Sequence, residues 1–556
     1  MMGGEAPLGP LARRRRLAGR YRQVAEVLGR YGFGLLLEEL GLERFRPGFR
    51  RREERVLQSR GARLRQALEE LGPTFIKLGQ FLSTRPDLVP PDILDELQRL
   101  QDQVPPVPFQ VLEPALRDAL GGRPLDQVFR SLDPEPLASA SIAQVHAGVL
   151  HDGAEVAIKI QRPQVQQLIA TDLELLTALA HLAAGRLHLP FDPVALVDAL
   201  AHGVRQELDY LREGRTIERF QANFQGWAWV HFPRVYWAWS SRQVLVMERL
   251  RGWRITDLEA LDRAGIDRRL LARRGAQLFM KMVLVDGFFH GDPHPGNLYV
   301  EPGNRLAVMD FGIVGRIDEE TIEGVVSLLQ ALVDRRPQQA VQALDALGAL
   351  DAQTDQAALR RDLGELIDTH WGRTLAEVSV GETVAELLRL IHRHRIHLPS
   401  ELFLLAKVLV GVEGLGRQLD PSFNVVEVAA PFVRRLMTRR LAPSRVGRRV
   451  WEDLSHTAAL WGRLPQELAG LATQARQGRL RLQVDPRGLD AHARRIERAV
   501  RELGVSVVFA ATLLALVFSL WVAPGPHLAG VPLLTWFLLA LLAFLGALLF
   551  ISLFRR

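Results

Sequence analysis

The segment His290-Gly291-Asp292-Pro293-His294-Pro295-Gly296-Asn297 gathers a carboxylate, an amide and two imidazoles, and Asp310-Phe311-Gly312 adds a second carboxylate shortly after. Pro293 and Pro295 keep the first segment out of a helix, so it reads as a loop. Amide and carboxylate oxygens suit a hard cation such as Mg²⁺. His290, Asp292 and His294 offer an alternative set for a transition metal. Leu298-Tyr299-Val300 and Leu306-Ala307-Val308-Met309 predict two short strands around the turn Pro302-Gly303-Asn304. Such a hairpin would bring Asn297 and Asp310 to one metal site.

The two segments look like the catalytic loop and metal-binding loop of the protein-kinase-like fold. That resemblance implies Asp292 near an attacking hydroxyl, with Asn297 and Asp310 binding magnesium. A lysine should then lie upstream. The chain has 70 Lys plus Arg, yet its only lysines are Lys77, Lys159, Lys281 and Lys407. Lysine is a compact point charge where arginine is a broad planar fork, so the surviving lysines mark positions that a guanidinium does not suit. Lys159, in Val156-Ala157-Ile158-Lys159, matches the kinase strand whose lysine meets the nucleotide phosphates. Its expected carboxylate partner is Glu207, in a helical stretch downstream. Lys281 and Lys407 fall within apolar helical patterns and are expected to serve structural or partner roles. The Gly-x-Gly-x-x-Gly loop of ordinary kinases is missing; Ala138-Ser139-Ala140-Ser141 stands in its place. Alanine restricts φ where glycine does not, so this loop should be stiffer.

Upstream lies Lys77-Leu78-Gly79-Gln80. Taken with the Ala-rich loop, the Lys159 strand, Glu207-Leu208-Asp209, the Asp292 loop and Asp310-Phe311-Gly312, it resembles the UbiB/ADCK family of atypical kinases over roughly residues 60 to 420. The resemblance implies an α+β, two-lobed kinase-like fold with an N-terminal helical extension. It implies ATP and Mg²⁺ as cofactors, with the Ala138–Ser141 loop and Lys159 at the phosphates and Met247 and Glu248 at the hinge beside adenine. Lys77 and Gln80 would lie over the active site, Lys77 meeting Glu207 and Asp209, so that the extension covers the place of a protein substrate. It further implies an atypical kinase or ATPase supporting isoprenoid-quinone or related lipid biosynthesis, with water as a candidate acceptor. Two alternatives remain: a small-molecule phosphotransferase, because Gly291 also suits aminoglycoside and choline kinases, and a nucleotide-binding lipid scaffold without catalysis.

The pattern divides into a basic leader with an amphipathic helix, Tyr21 to Leu42 (1–55), a helical extension (56–130), a small lobe (131–250), a large lobe (251–430), a basic helical connector (431–500) and a terminal hairpin (501–556). Val505 to Val522 and Leu533 to Phe554 are apolar, uncharged and separated by Pro524-Gly525-Pro526-His527. Each is long enough for a bilayer core, and the arginines before the first and after the second place both ends in the cytoplasm. The expectation is a bacterial cytoplasmic-membrane protein with two transmembrane helices and a cytoplasmic catalytic domain. No secretory signal is evident. The absence of cysteine excludes disulfides and thiolate metal sites. A net charge of +7 without interleaved aromatics argues against nucleic acid. It fits anionic lipid headgroups, and the family resemblance implies hydrophobic quinone precursors and quinone-biosynthesis enzymes as further partners.

Overall fold

A computed structural model of the chain describes residues 10–34, 59–85, 88–100, 104–187, 191–351, 354–369, 380–394, 396 and 398–440, with 508, 511–513, 515, 527–528, 531–532 and 534–543 near the C-terminus. Met1–Ala442 and Pro443–Arg556 form two separate units. In the first, five helices precede the first strand among the described residues: α1 (Pro10–Arg30), α2 (Arg60–Leu71), α3 (Pro73–Ser83), α4 (Pro91–Leu97) and α5 (Phe109–Ala119). The first helix starts in the arginine-rich leader, earlier than the apolar pattern suggests. It stops at Gly32, whose φ of +85° is the left-handed conformation that ends helices, with Phe33 N–H donating to the Leu28 carbonyl at 2.9 Å. The expected helical residues beyond 34 lie outside the described set.

Strands β1 (Phe129–Ser139), β2 (Ala143–Leu150) and β3 (Glu155–Gln161) follow, then helices α6 (Val165–Arg186), α7 (Pro193–Glu207) and α8 (Tyr210–Asn223). After β4 (Val230–His231) comes β5 (Val244–Glu248), which pairs with β3, so the small-lobe sheet is antiparallel in the order β1-β2-β3-β5. Its side chains alternate as a half-buried sheet requires. Val156, Ile158, Ile160, Val244 and Val246 pack toward Leu112 and Leu116 of α5. Ala157, Leu245 and Met247 face the larger core, and Lys159 shares their face by the period of two.

The large lobe begins with β6 (Trp253–Arg254), α9 (Leu258–Arg263) and α10 (Arg268–Leu284). Strand β7 (Phe288–His290) leads into the Asp292 loop, and β8 (Leu298–Glu301) and β9 (Arg305–Val308) leave it as a hairpin whose turn holds Asn304 at φ +58°. Strand β10 (Val314–Arg316) returns to pair with β7. Helices α11 (Glu319–Val333), α12 (Pro337–Ala346), α13 (Gln356–Thr369), α14 (Val380–Arg393), α15 (Ser400–Leu419) and α16 (Val425–Arg440) complete the unit. Leu328, Leu344, Leu359, Leu363, Ile391 and Phe403 form a second core among them.

A buried ionic bracket ties the extension to α6. Arg20 of α1 donates to both carboxylate oxygens of Asp172 at 2.6 and 2.9 Å and to the Leu71 carbonyl at 2.7 Å. Thr74 of α3 donates its hydroxyl to the same carboxylate at 2.7 Å. Gly79 completes the fit of α3, because a Cβ there would overlap Leu68 and Leu100.

Most of the expected terminal hairpin, and the connector beyond residue 440, lie outside the described residues. The described part of the second unit holds the apolar helical segment Leu534–Ala543 and a two-stranded ladder of His527–Leu528 with Val531–Pro532. The expected pair of spanning helices is not supported among the described residues. Among the described residues, α6 alone is long and apolar enough to cross a membrane, and it packs within the main core through Ile169, Leu173 and Leu176.

Replacing Asp172 with Ala should strand the Arg20 guanidinium in a dry site and cost about 3–5 kcal/mol. Chemical denaturation of the full chain measures this, and a variant as stable as the parent would show the bracket to be dispensable.

Candidate functional site

Lys159 is the centre of the site. Register places it between Val145 on β2 and Leu245 on β5. Its ammonium meets Glu213 at 2.8 and 3.0 Å and Asp310 at 3.2 Å, above the ring of the buried Tyr210. The expected partner Glu207 is thus corrected to Glu213. The helical stretch that holds both does not run straight through. Helix α7 ends at Glu207, and Asp209 caps a new helix by accepting from Leu211 N–H at 3.1 Å and Arg212 N–H at 3.4 Å. Glu213, one turn into α8, faces the strand. Glu207 faces the extension and takes Lys77 at 3.0 Å. That contact agrees with the family resemblance; the Asp209 carboxylate is engaged in its cap. Gln80 lies one turn after Lys77 on α3, its carbonyl accepting from Ser83 Oγ at 2.7 Å.

Electrostatics follow this geometry. The Lys159 ammonium, with Lys77 beyond it, holds the Asp310 carboxyl down to about 2, against the opposing effect of burial. Burial favours neutral Lys159, yet Asp310, Glu213 and Tyr210 together raise its pKa well above the usual lysine value. Burial pushes the Glu213 carboxyl up, and Lys159 counters it. At neutral pH the cluster carries a lysine cation beside an Asp310 anion.

Asp310 sits at φ +54°, a left-handed conformation that Asp and Asn adopt more readily than other side chains. His290 holds this turn. Its Nδ1 accepts from Asp292 N–H at 3.1 Å, so Nε2 carries the proton and donates to the Asp310 carbonyl at 2.6 Å. One buried imidazole thus spaces the two loops. The hairpin brings Asn297 beside Asp310, with Met309 N–H donating to the Asn297 carbonyl at 2.8 Å. Asn297 Nδ2 donates to the Asp292 carbonyl at 3.1 Å and to Asp292 Oδ2 at 3.3 Å, which leaves its amide oxygen for another ligand. An amide oxygen next to a carboxylate suits magnesium. The transition-metal alternative does not fit. Both nitrogens of His290 are engaged with backbone, His294 Nδ1 accepts from Gly296 N–H at 3.0 Å, and among the described residues no three acidic or histidine side chains converge as metal ligands.

The Ala-rich loop closes β1 onto β2, with Ala138 and Ser139 ending the strand and Ala140 N–H donating to the Ala143 carbonyl at 2.8 Å. Arg162 braces it by donating to the Ala140 carbonyl at 2.9 Å and Ser139 Oγ at 2.7 Å. Ser141 Oγ is buried without a hydrogen-bond partner among the described residues, a spare donor in the loop expected to face phosphates. At the hinge, Met247 packs into the main core, while the Glu248 carboxylate accepts from Arg234 N–H at 3.1 Å and lies 3.3 Å from His231 Nε2.

Sequence reasoning overlooked Glu213 and Lys407. Glu213 is hidden by the helix break. Lys407, assigned a structural or partner role, reaches Asp292 Oδ1 at 3.1 Å; the scarcity of lysine was the signal. Lys281 is structural, paired with Asp286 at 2.7 Å and lying over the Phe224 ring at 4.3 Å.

A sheet-borne lysine held by a helical glutamate, followed by a catalytic-type loop and an Asp-Phe-Gly turn, defines a kinase-like protein. Family comparison agrees. Residues 99–344 match the ABC1 atypical kinase-like domain, 363–424 the UbiB helical domain and 487–555 the ABC1/UbiB kinase-like C-terminal domain. A probable protein kinase UbiB of Pseudomonas fluorescens is 39% identical, with 72% of this chain and 76% of that protein covered. The protein sll1770 of Synechocystis is 35% identical over 80% of this chain and 77% of its own length. The chain belongs to the ABC1/UbiB family of atypical kinase-like proteins.

If Glu213 is the carboxylate that sets Lys159, Glu213→Gln should weaken Mg-ATP binding about tenfold or more, and Glu207→Gln should have the smaller effect. Calorimetric titration of both variants checks this; the reverse order would return the role to Glu207.

Proposed function

We propose that the protein is a membrane-anchored atypical kinase or ATPase that uses Mg-ATP in support of isoprenoid-quinone or related lipid biosynthesis. The observation that carries this reading is the Lys159 ammonium between Glu213 and Asp310, beside the Asp292–Asn297 loop. The names of the UbiB relatives and the two apolar C-terminal stretches support it.

Each residue has a task. Glu213 keeps Lys159 charged and extended on its strand, so the ammonium can exchange Asp310 for a phosphate oxygen when nucleotide enters. Asn297 and Asp310 would hold magnesium, which when bound neutralises charge between the phosphates. Asp310 is already anionic and its turn is fixed by His290, so little reorganisation is needed. Asp292 receives the proton of the attacking hydroxyl, its carboxylate oriented by Asn297. Met247 and Glu248 supply backbone at the hinge for adenine, and the Ala138–Ser141 loop, braced by Arg162, covers the phosphates. Helix α3 brings Lys77 against Glu207 at the edge of the site. An extension there favours a small acceptor, water included, over a folded protein. Lys77, Gln80 and Asp209 form the regulatory side of the site.

Asp310→Asn tests the reading cleanly, because Asn tolerates the same left-handed turn while losing the charge. Mg-ATP hydrolysis, measured with and without anionic liposomes, should fall at least about a hundredfold with little change in melting temperature. Undiminished turnover would sink the assignment. Turnover indifferent to liposomes would remove the membrane coupling.

A further inference from the structure

Helix α15 lies along the Asp292 loop almost residue for residue. A Cβ at Gly291 would come within 3.1 Å of Leu404 Cδ2, Lys407 Nζ is 3.1 Å from Asp292 Oδ1, and a Cβ at Gly411 would come within 2.9 Å of Pro293 Cγ. Positions 404, 407 and 411 form one helix face, and glycine at 411 permits the close approach. The loop itself, 290–297, contains neither lysine nor arginine. His290 has both ring nitrogens engaged with backbone, and His294 Nδ1 accepts from Gly296 N–H. Phosphoryl transfer gathers negative charge at this place, and the loop offers no permanent cation of its own. The other charges near this stretch of α15 are otherwise engaged: Glu413 pairs with Arg417 at 3.0 Å and accepts from Gly381 N–H at 2.7 Å. Lys407 is 42% exposed while its ammonium holds Asp292.

We propose that Lys407 is a positioning residue for phosphoryl transfer, supplied to the loop by the helical region. It fixes Oδ1 of Asp292 while Asn297 fixes Oδ2, so the carboxylate stands in one orientation. Resting on the function proposed above, the step balances as follows. The acceptor oxygen forms a bond to the γ-phosphorus, its proton passes to Asp292, the bond from that phosphorus to the bridging oxygen breaks, and ADP leaves with that electron pair. Lys407 exchanges no proton in this step. With water as acceptor the products are ADP and inorganic phosphate.

The test uses the full chain and the variants Lys407→Met, Lys407→Arg, Asp292→Asn and the Lys407→Met/Asp292→Asn double, with steady-state Mg-ATP hydrolysis, Mg-ATP titration and melting temperature. Lys407→Met should lower kcat about 30-fold or more while KM and Mg-ATP affinity stay within about threefold. Lys407→Arg should recover part of kcat. Added to Asp292→Asn, the Met change should cost nothing further, because both act through one carboxylate. An unchanged or raised kcat in Lys407→Met would overturn the proposal, as would a loss that adds in full to that of Asp292→Asn or that falls on KM alone. A parent protein without turnover would instead remove the ATPase reading, and this inference with it; a parent that turns over beside an equally active Lys407→Met removes the inference alone.

Discussion

A lysine cation in a largely dry site demands anions around it, and much of this architecture can be read as the means of bringing them. Lys159 comes from a central strand, Glu213 from the first turn of α8 and Asp310 from a loop a hundred residues further along. Lys159 and Glu213 are largely removed from water, where an unpaired charge is costly, so the strand and α8 are energetically bound to one another, and the more exposed Asp310 joins them. The sheet register, the cap at Asp209 and the left-handed turn at Asp310 all serve that meeting.

The break between α7 and α8 then acquires a meaning. Two glutamates six residues apart would lie on different sides of a continuous helix. Here the interruption at Leu208-Asp209 lets each serve its own lysine: Glu213 the strand, Glu207 the extension. Asp209 satisfies the exposed N–H groups of the second helix. The extension is located in turn by the Arg20–Asp172–Thr74 bracket, one helical turn from Lys77. Placement of Lys77 therefore depends on a buried ion pair outside the site.

Much of this was legible in the residues. The order of Lys159, Asp292, Asn297 and Asp310, and the hairpin that joins the last two, follow from motif and strand pattern. The choice between Glu207 and Glu213 was not legible, because nothing local distinguishes a capped helix restart at Asp209 from an ordinary helical Asp. Lys407 was misread because its neighbours Leu404, Leu405 and Val408 make a good core pattern, and contact with Asp292 over 115 positions leaves no periodic trace. The first helix was misplaced because its arginine-rich start looks solvated, whereas Arg20 folds inward onto Asp172.

The scarcity of lysine has a practical side. In a chain of 556 residues, amine-directed acylation can reach only four side chains, and three of them surround the site. Lys407 stands open, whereas Lys77, Lys159 and Lys281 are only 11, 14 and 12% exposed. The order in which these amines become acylated would therefore report how accessible each one is, with no label introduced. The protein has, by composition, its own footprinting probe placed around the Lys159–Asp292 cluster.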